Sequence, residues 1–316
     1  MGTGYNRPLI KDPEVESFVD SVLNMYDASP EDKRAVINSI IAAERNLAGA
    51  GTDASTMQQS FRDFQYRSDK ERELLNNRIL KELVELERLS DDDDIILGKG
   101  GAKPPKGIVS EKKAFYIIGP PASGKSGISN KIADTFGAYI LDSDYAKRKF
   151  PEYSNQISGA SVVHEESDQL IFRRMRGNLL AHCLSQGHNI VIPKIGHQLD
   201  SIVAMCNALK TQGYAVYLIS VDLDRIKATW RAYMRYHQTH RYVPLSLVFD
   251  GYGNDPTLNY FKAKQQHSNL FSGFAQISTD VPIKEPCILL EEQNLPELNT
   301  IYGRAKYASS KKKRKS

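Results

Sequence analysis

Along residues 1–90 the apolar positions recur at spacings of three and four, the pattern of helices that bury one face. Glu14–Asp27 is one such segment. A second opens at Ser29-Pro30-Glu31-Asp32, which supplies an N-cap, a proline suited to the first turn and acids at the positive helix end. It carries Val36, Ile37, Ile40 and Ile41 on one face and ends at Gly49–Gly51. A third is expected from Ala54 to Leu89, with Leu75, Ile79, Leu83 and Leu86 in register. Asp91–Asp94, followed by Gly98, Gly100, Gly101, Pro104, Pro105 and Gly107, has the composition of a linker. Beyond it the pattern changes. Short apolar runs (Ala114–Ile118, Tyr139–Leu141, Asn189–Ile192, Val216–Val221 and Cys287–Leu290) alternate with helical stretches. That alternation predicts an α/β domain with a mainly parallel five-stranded sheet covered by helices, preceded by an all-helical region. The expected division is a helical region at 1–90, a linker at 91–110, the α/β domain at 111–300 and a disordered basic tail at 301–316.

Composition narrows the class without choosing a function. Hydrophobic residues make up 41% of the 316 and charged residues 25%, an ordinary globular balance. The longest apolar run has six residues against the roughly 20 needed to span a bilayer, and no leader-like segment follows Met1, so neither membrane insertion nor secretion is expected. The net charge of +4 is concentrated in Lys311–Lys315, leaving a near-neutral body with no expected nucleic-acid surface. Cys183, Cys206 and Cys287 are odd in number and widely spaced, which suits a reducing, cytoplasmic setting rather than a disulfide framework or zinc site.

Gly119-Pro120-Pro121-Ala122-Ser123-Gly124-Lys125-Ser126 matches G-x-x-x-x-G-K-[ST] at every fixed position, directly after an apolar run and before a helical pattern. Glycines let the backbone curl so that successive N–H groups face phosphates, and the following helix adds its positive end. Lys125 is placed to reach the β- and γ-phosphates of ATP or GTP, and the Ser126 hydroxyl to ligate Mg²⁺. The next apolar run ends in Asp142-Ser143-Asp144, delivering two carboxylates to the same end of the sheet. One suits Mg²⁺ and the other can accept a proton from an attacking hydroxyl, although an Asx turn capping a helix would read the same way.

This loop, followed by Leu141-Asp142-Ser143-Asp144, Lys147 and Pro151-Glu152-Tyr153, resembles the zeta toxins, P-loop kinases of bacterial toxin–antitoxin systems. The likeness continues through Gly187-His188-Asn189, Gly213-Tyr214, Arg235-Tyr236 and Arg241-Tyr242-Val243-Pro244, spanning Lys112 to Glu291. It implies transfer of a phosphoryl group from ATP or GTP to a sugar hydroxyl of a UDP-linked amino sugar such as UDP-N-acetylglucosamine. Lys125 would hold the phosphates, Asp142 and Ser126 the metal, and Asp144 would be the general base. Arg235 and Arg241 would clamp the transferring group, and an antitoxin partner would restrain the enzyme. In this chain the antitoxin-like part could lie in cis within residues 1–90, with Ala54–Leu89 as the contact.

One departure bears on the acceptor. Where better-known members have a glutamate in a Glu-Gly-Thr-Gly stretch, this chain has Pro193-Lys194-Ile195-Gly196. Glu165 and Glu166 are candidate substitutes, equally readable as an acidic helix start, and Lys194 is a candidate substrate contact. Two alternatives stay open: a kinase for another small molecule such as NAD, and a non-catalytic NTP-binding module. Trp230 could stack a base but reads more simply as packing, and His197 and His240 read as surface or packed residues.

Overall fold

The structure is a computed structural model that describes residues 7–50, 55–155, 159–239, 241–282 and 285–304. His240 and the basic run Lys311–Lys315 lie outside the described residues. The strands are β1 (Lys113–Ile118), β2 (Tyr139–Ile140), β3 (Ile190–Lys194), β4 (Ala215–Asp222), β5 (Gly273–Ser278), β6 (Ile288–Gln293) and β7 (Gly303–Arg304). They form one sheet in the order β2-β3-β1-β4-β5-β6-β7. The pairings are parallel from β2 through β5; β6 runs antiparallel to β5, and β7 is parallel to β6. The mainly parallel sheet is as expected, but among the described residues it has seven strands rather than five. The run at Cys287–Leu290 becomes the antiparallel β6. Gly273–Ser278, which the apolar-run criterion passes over because Gln276 and two small residues interrupt it, is buried throughout as β5. Residues 301–304, assigned to the tail, complete the last short helix and form β7.

β1 lies between β3 and β4, with Ala114 opposite Ile190 on one side and Val216 on the other. The chain order reverses about β1, so its carboxyl end opens into the crevice where doubly wound sheets bind ligands.

The helical region contains α1 (Asp12–Leu23), α2 (Pro30–Ala50) and α3 (Asp69–Glu85). The cap read at Ser29 forms, with the Asp32 amide donating to its hydroxyl at 3.1 Å. The third helix starts later than expected, because Ser68 and Glu71 make a reciprocal capping box that fixes its start. Residues 55–68 are turns and single 3₁₀ turns. The region does not behave as one unit. Leu75, Ile79 and Leu83 of α3 join the core of the sheet. α1 and α2 instead build a second apolar core with the helix Arg225–Thr239 and the segment after it. Phe18, Val19, Ile37 and Ile40 meet Ala228, Ala232, Tyr233 and Tyr242 there.

The linker expectation at 91–110 meets a different arrangement. Ile95 and Ala102 are fully buried, Glu87 pairs with Lys103, and Val109 N–H donates to the Gly137 carbonyl at 2.9 Å. A Cβ at Gly101 would sit 2.3 Å from the Leu86 carbonyl oxygen and 2.4 Å from that of Glu82. Glycine serves here for close backbone approach rather than flexibility.

Candidate active site

β1 feeds directly into the glycine-rich loop. A Cβ at Gly119 would press on the Val221 carbonyl at 2.8 Å, so only glycine lets the chain turn this close to β4. Gly124 and Ala122 both adopt left-handed backbone, at φ 81° and 58°. The helix α4 (Lys125–Phe136) then begins with no side-chain cap and no acid in its first turn, leaving its amides and positive end facing the loop. Lys125 Nζ donates to the carbonyls of Gly119 and Pro120 at 2.7 and 2.6 Å. Burial, reinforced by Arg235 and opposed by Asp142 and Asp144, pulls its pKa down to about 7. The buried Ser123 hydroxyl has no partner, while Thr279 at the end of β5 donates to the Ser123 carbonyl at 2.8 Å and braces the loop. Arg231 in turn donates to the Thr279 carbonyl at 2.8 Å.

The second carboxylate-bearing turn lies alongside. Asp142 caps the short helix Ser143–Lys147, its carboxylate accepting from the Asp144 amide at 2.9 Å. The Asx-turn reading thus holds at this residue. Lys147 Nζ donates to Asp144 Oδ1 at 2.7 Å. Burial and the neighbouring Asp144 charge raise Asp142 to about 6. For Asp144, burial alone would raise the pKa; Lys147, Arg148 and Arg241 outweigh it and hold the carboxyl well below its ordinary value. One carboxylate is therefore firmly ionised, and the other gains from a nearby cation.

These groups share a cavity of about 710 Å³. Pro121–Ser126 line one wall, Asp142, Ser143, Asp144 and Lys147 another, and residues 193–198 a third, with Arg231, Arg235, Val243 and Tyr252 over the top. Arg235 presents a buried Nε without a partner, and burial together with Arg241 lowers its pKa. Two half-buried cations, Arg235 and Lys125, beside bare helix amides make a lining suited by charge to a polyanion. The donors also suit Mg²⁺. Ser126 and Asp142 flank the loop, and this hard cation commonly takes only one or two protein oxygens, the rest coming from phosphate and water. Among the described residues no cluster of three or more His, Cys, Asp or Glu forms a separate metal site.

Of the sequence candidates, residues 121–126, Asp142, Asp144, Lys194 and Arg235 reach the cavity, and Gly119 and Pro120 hold Lys125. Arg241 is not among the cavity-lining residues; its charge acts on Asp144 from beside them, and it donates to the Tyr153 hydroxyl and to Asp93, both at 2.6 Å. Glu165 and Glu166 are not brought there. Glu165 accepts from the Thr56 hydroxyl at 2.6 Å. Glu166 is buried and neutralised by Arg72 at 2.7 Å, with Ser55 and Asn76 satisfying its remaining lone pairs. On this segment the carboxylate that lines the cavity is Asp168, which accepts from Ser143 at 3.1 Å and Lys194 at 3.4 Å and pairs with Arg173 at 2.7 Å. Helical spacing could have found it: His164 and Asp168 are four apart and both line the cavity, whereas Glu165 and Glu166 fall on other faces. Arg231 was likewise missed. Trp230 does not approach the nucleotide loop but borders a shallow groove against Val22–Met25. His197 lines the cavity beside Tyr252.

Residues 102–254, just under half of the chain, match the family model described as Zeta toxin. Over that stretch the chain is similar to the zeta toxins, as the resemblance read from the sequence implies. Among solved structures, one from the PezAT chromosomal toxin–antitoxin system of Streptococcus pneumoniae aligns at 17% identity, over 77% of this chain and 90% of its own, with a TM-score of 0.47. The AvrRxo1-ORF1:AvrRxo1-ORF2 structure with sulphate ions aligns at 17% identity over 73% and 72% of the two chains, with a TM-score of 0.44. A gluconokinase from Sinorhizobium meliloti 1021 aligns at 15% identity over 54% and 85%, with a TM-score of 0.29. No curated protein matches the chain. No helix among the described residues is long and apolar enough to cross a membrane.

Proposed function

We propose that this protein is a toxin kinase that transfers the γ-phosphoryl group of ATP or GTP to a hydroxyl of a UDP-linked amino sugar. The observation that carries the reading is the convergence of Lys125, Arg235 and Asp144 on one cavity, cations on the phosphate side and an ionised carboxylate across from them. The acceptor oxygen forms the new P–O bond as the bond to the β,γ-bridging oxygen breaks. Asp144 takes the hydroxyl proton late in that displacement, and the nucleoside diphosphate leaves. Lys125 and Arg235 balance the charge spread over the transferring oxygens, with Arg241 joining them from beside the cavity. Ser126 and Asp142 would hold Mg²⁺, which neutralises phosphate charge when bound.

For the acceptor, Lys194, Lys147 and His164 supply donors suited to a diphosphate, and Asp168 an acceptor for a neighbouring hydroxyl. Pro193 cannot make such a contact through its side chain, which is the specific reason to weigh another anionic acceptor such as NAD. An antitoxin would act on this cavity in trans or, in cis, through residues 1–90, of which α1 and α2 are the part packed on the helix Arg225–Thr239. The test is ADP release from Mg²⁺-ATP with UDP-N-acetylglucosamine, its galacto-epimer or NAD. Acceptor-dependent release with a UDP-sugar supports the proposal, and faster turnover of NAD replaces it. Release independent of any acceptor refutes a kinase role toward these compounds.

A further inference from the structure

The kinase reading leaves the acidic stretch before the α/β domain without a task, yet the structure carries one of its carboxylates to the site. Asp93 Oδ1 accepts from Arg148 Nη2 at 2.9 Å and from Arg241 Nη2 at 2.6 Å. Arg241 Nη1 donates to the Tyr153 hydroxyl at 2.6 Å, so both ends of its guanidinium are fixed while other N–H groups remain to meet an incoming phosphoryl oxygen. Asp93 is itself held. It sits in the 3₁₀ turn Asp92–Asp94, whose first amides are capped by Asp91, with Asp93 N–H donating to Asp91 Oδ1 at 2.9 Å. Asp92 accepts at 3.0 Å from the hydroxyl of the fully buried Tyr145, on the same short helix as Asp144. The turn is thereby locked to the element that presents the base.

Such an anchor answers a physical need. Arg148, Arg235 and Arg241 crowd one side of Asp144; the Arg241 charge makes protonation of Arg235 harder, and Asp93 opposes that effect. Without the Asp93 carboxylate, mutual repulsion would favour rotation of the partly exposed Arg241 into solvent. We propose that Asp93 is a positioning residue for phosphoryl transfer, its carboxylate bridging Arg148 and Arg241 so that Arg241 stays aimed at the transferring group. This rests on the reading of Arg241 as a phosphoryl clamp.

The experiment uses the full chain with Mg²⁺-ATP and UDP-N-acetylglucosamine, comparing Asp93→Asn, Asp93→Glu, Arg241→Ala and the double variant Asp93→Asn/Arg241→Ala. Asp93→Asn should lower kcat on the order of tenfold, a usual size for coupled neighbours. Its KM for ATP should stay within about twofold, because the lost contact acts in the transition state. Asp93→Glu should restore most of the rate, and the double variant should be no slower than Arg241→Ala. In parallel, ¹⁵N-detected exchange of the Arg241 guanidinium protons should quicken in Asp93→Asn. Wild-type or faster turnover by Asp93→Asn, beside a slow Arg241→Ala, overturns the proposal, as does unaltered guanidinium exchange. Wild-type turnover by Arg241→Ala refutes the clamp itself, and with it the proposal. The exchange measurement tells the two failures apart, since it reports the Asp93–Arg241 tether without any turnover.

Discussion

Nucleotide binding should be coupled to uptake of a proton by Lys125, and the coupling can be sized from the site. Lys125 lies half-buried against the Gly119 and Pro120 carbonyls, and desolvation there pulls its pKa down from the usual 10.5 to about 7. A polyphosphate in contact with the ammonium favours the charged form, so binding draws the pKa back up and the neutral fraction must take a proton from solvent. The direction follows: affinity falls as pH rises above 7. Work between pH 7.5 and 8.5 keeps clear of the nucleotide's own ionisation near 6. Over that interval the protonated fraction of free Lys125 drops from about a quarter to about 0.03, which predicts a roughly eightfold loss of affinity. Calorimetric titration of ATP at pH 8 in two buffers of different ionisation enthalpy should then show about 0.9 proton taken up. Lys125→Met should show none and bind weakly throughout. Absence of proton uptake by the wild-type protein at pH 8 would refute the argument, because it would mean that Lys125 is already charged in the free loop.

Three further outcomes are expected. Asp144→Asn retains shape but not proton acceptance, so nucleotide should still bind while acceptor-dependent ADP release falls on the order of 10² to 10⁴-fold; titration beside turnover checks this. Arg72→Ala should destabilise the fold by about 3–5 kcal/mol, measured by denaturant unfolding, because it leaves Glu152 and Glu166 buried without their shared cation. Deleting residues 1–50 uncovers Ala228, Ala232, Tyr233, Leu245 and Val248 while sparing the core around the sheet. The remaining chain should keep its circular dichroism signature of a folded α/β domain but release ADP more slowly; faster release would show instead that α1 and α2 restrain the kinase.

What the sequence made legible was whatever depends on neighbours in the chain. The loop at Gly119–Ser126 is local chemistry: its glycines, lysine and serine have the spacing of a backbone turn that can wrap one phosphate group, and in the structure the same run forms the turn between β1 and α4. The alternating runs likewise announced four parallel strands, since a strand buried on both faces must be apolar wherever it occurs. Reading failed where one composition serves two physical ends. Glycine and proline at 98–107 suit a loose tether and a tightly packed strap equally, and only the buried Ile95 and Ala102 separate the two. It failed again where partners are distant in the chain. The apolar faces of α1 and α2 had to be covered, but nothing in them names the helix Arg225–Thr239 about 200 positions later. Asp93 and Arg241 carry no local mark of each other, and Glu166 looked available for substrate because its neutralising Arg72 lies 94 residues away. The acceptor side is the extreme case. His164 and Asp168 come from one short helix, Lys194 from β3 and His197 from the loop after it, and their common surface exists only once β3 and the helix His164–Asp168 close on Ser143. A phosphate-binding loop can be inherited whole within eight residues; a pocket that chooses an acceptor is assembled by the fold, which is why donor chemistry was readable here and acceptor chemistry has to be measured.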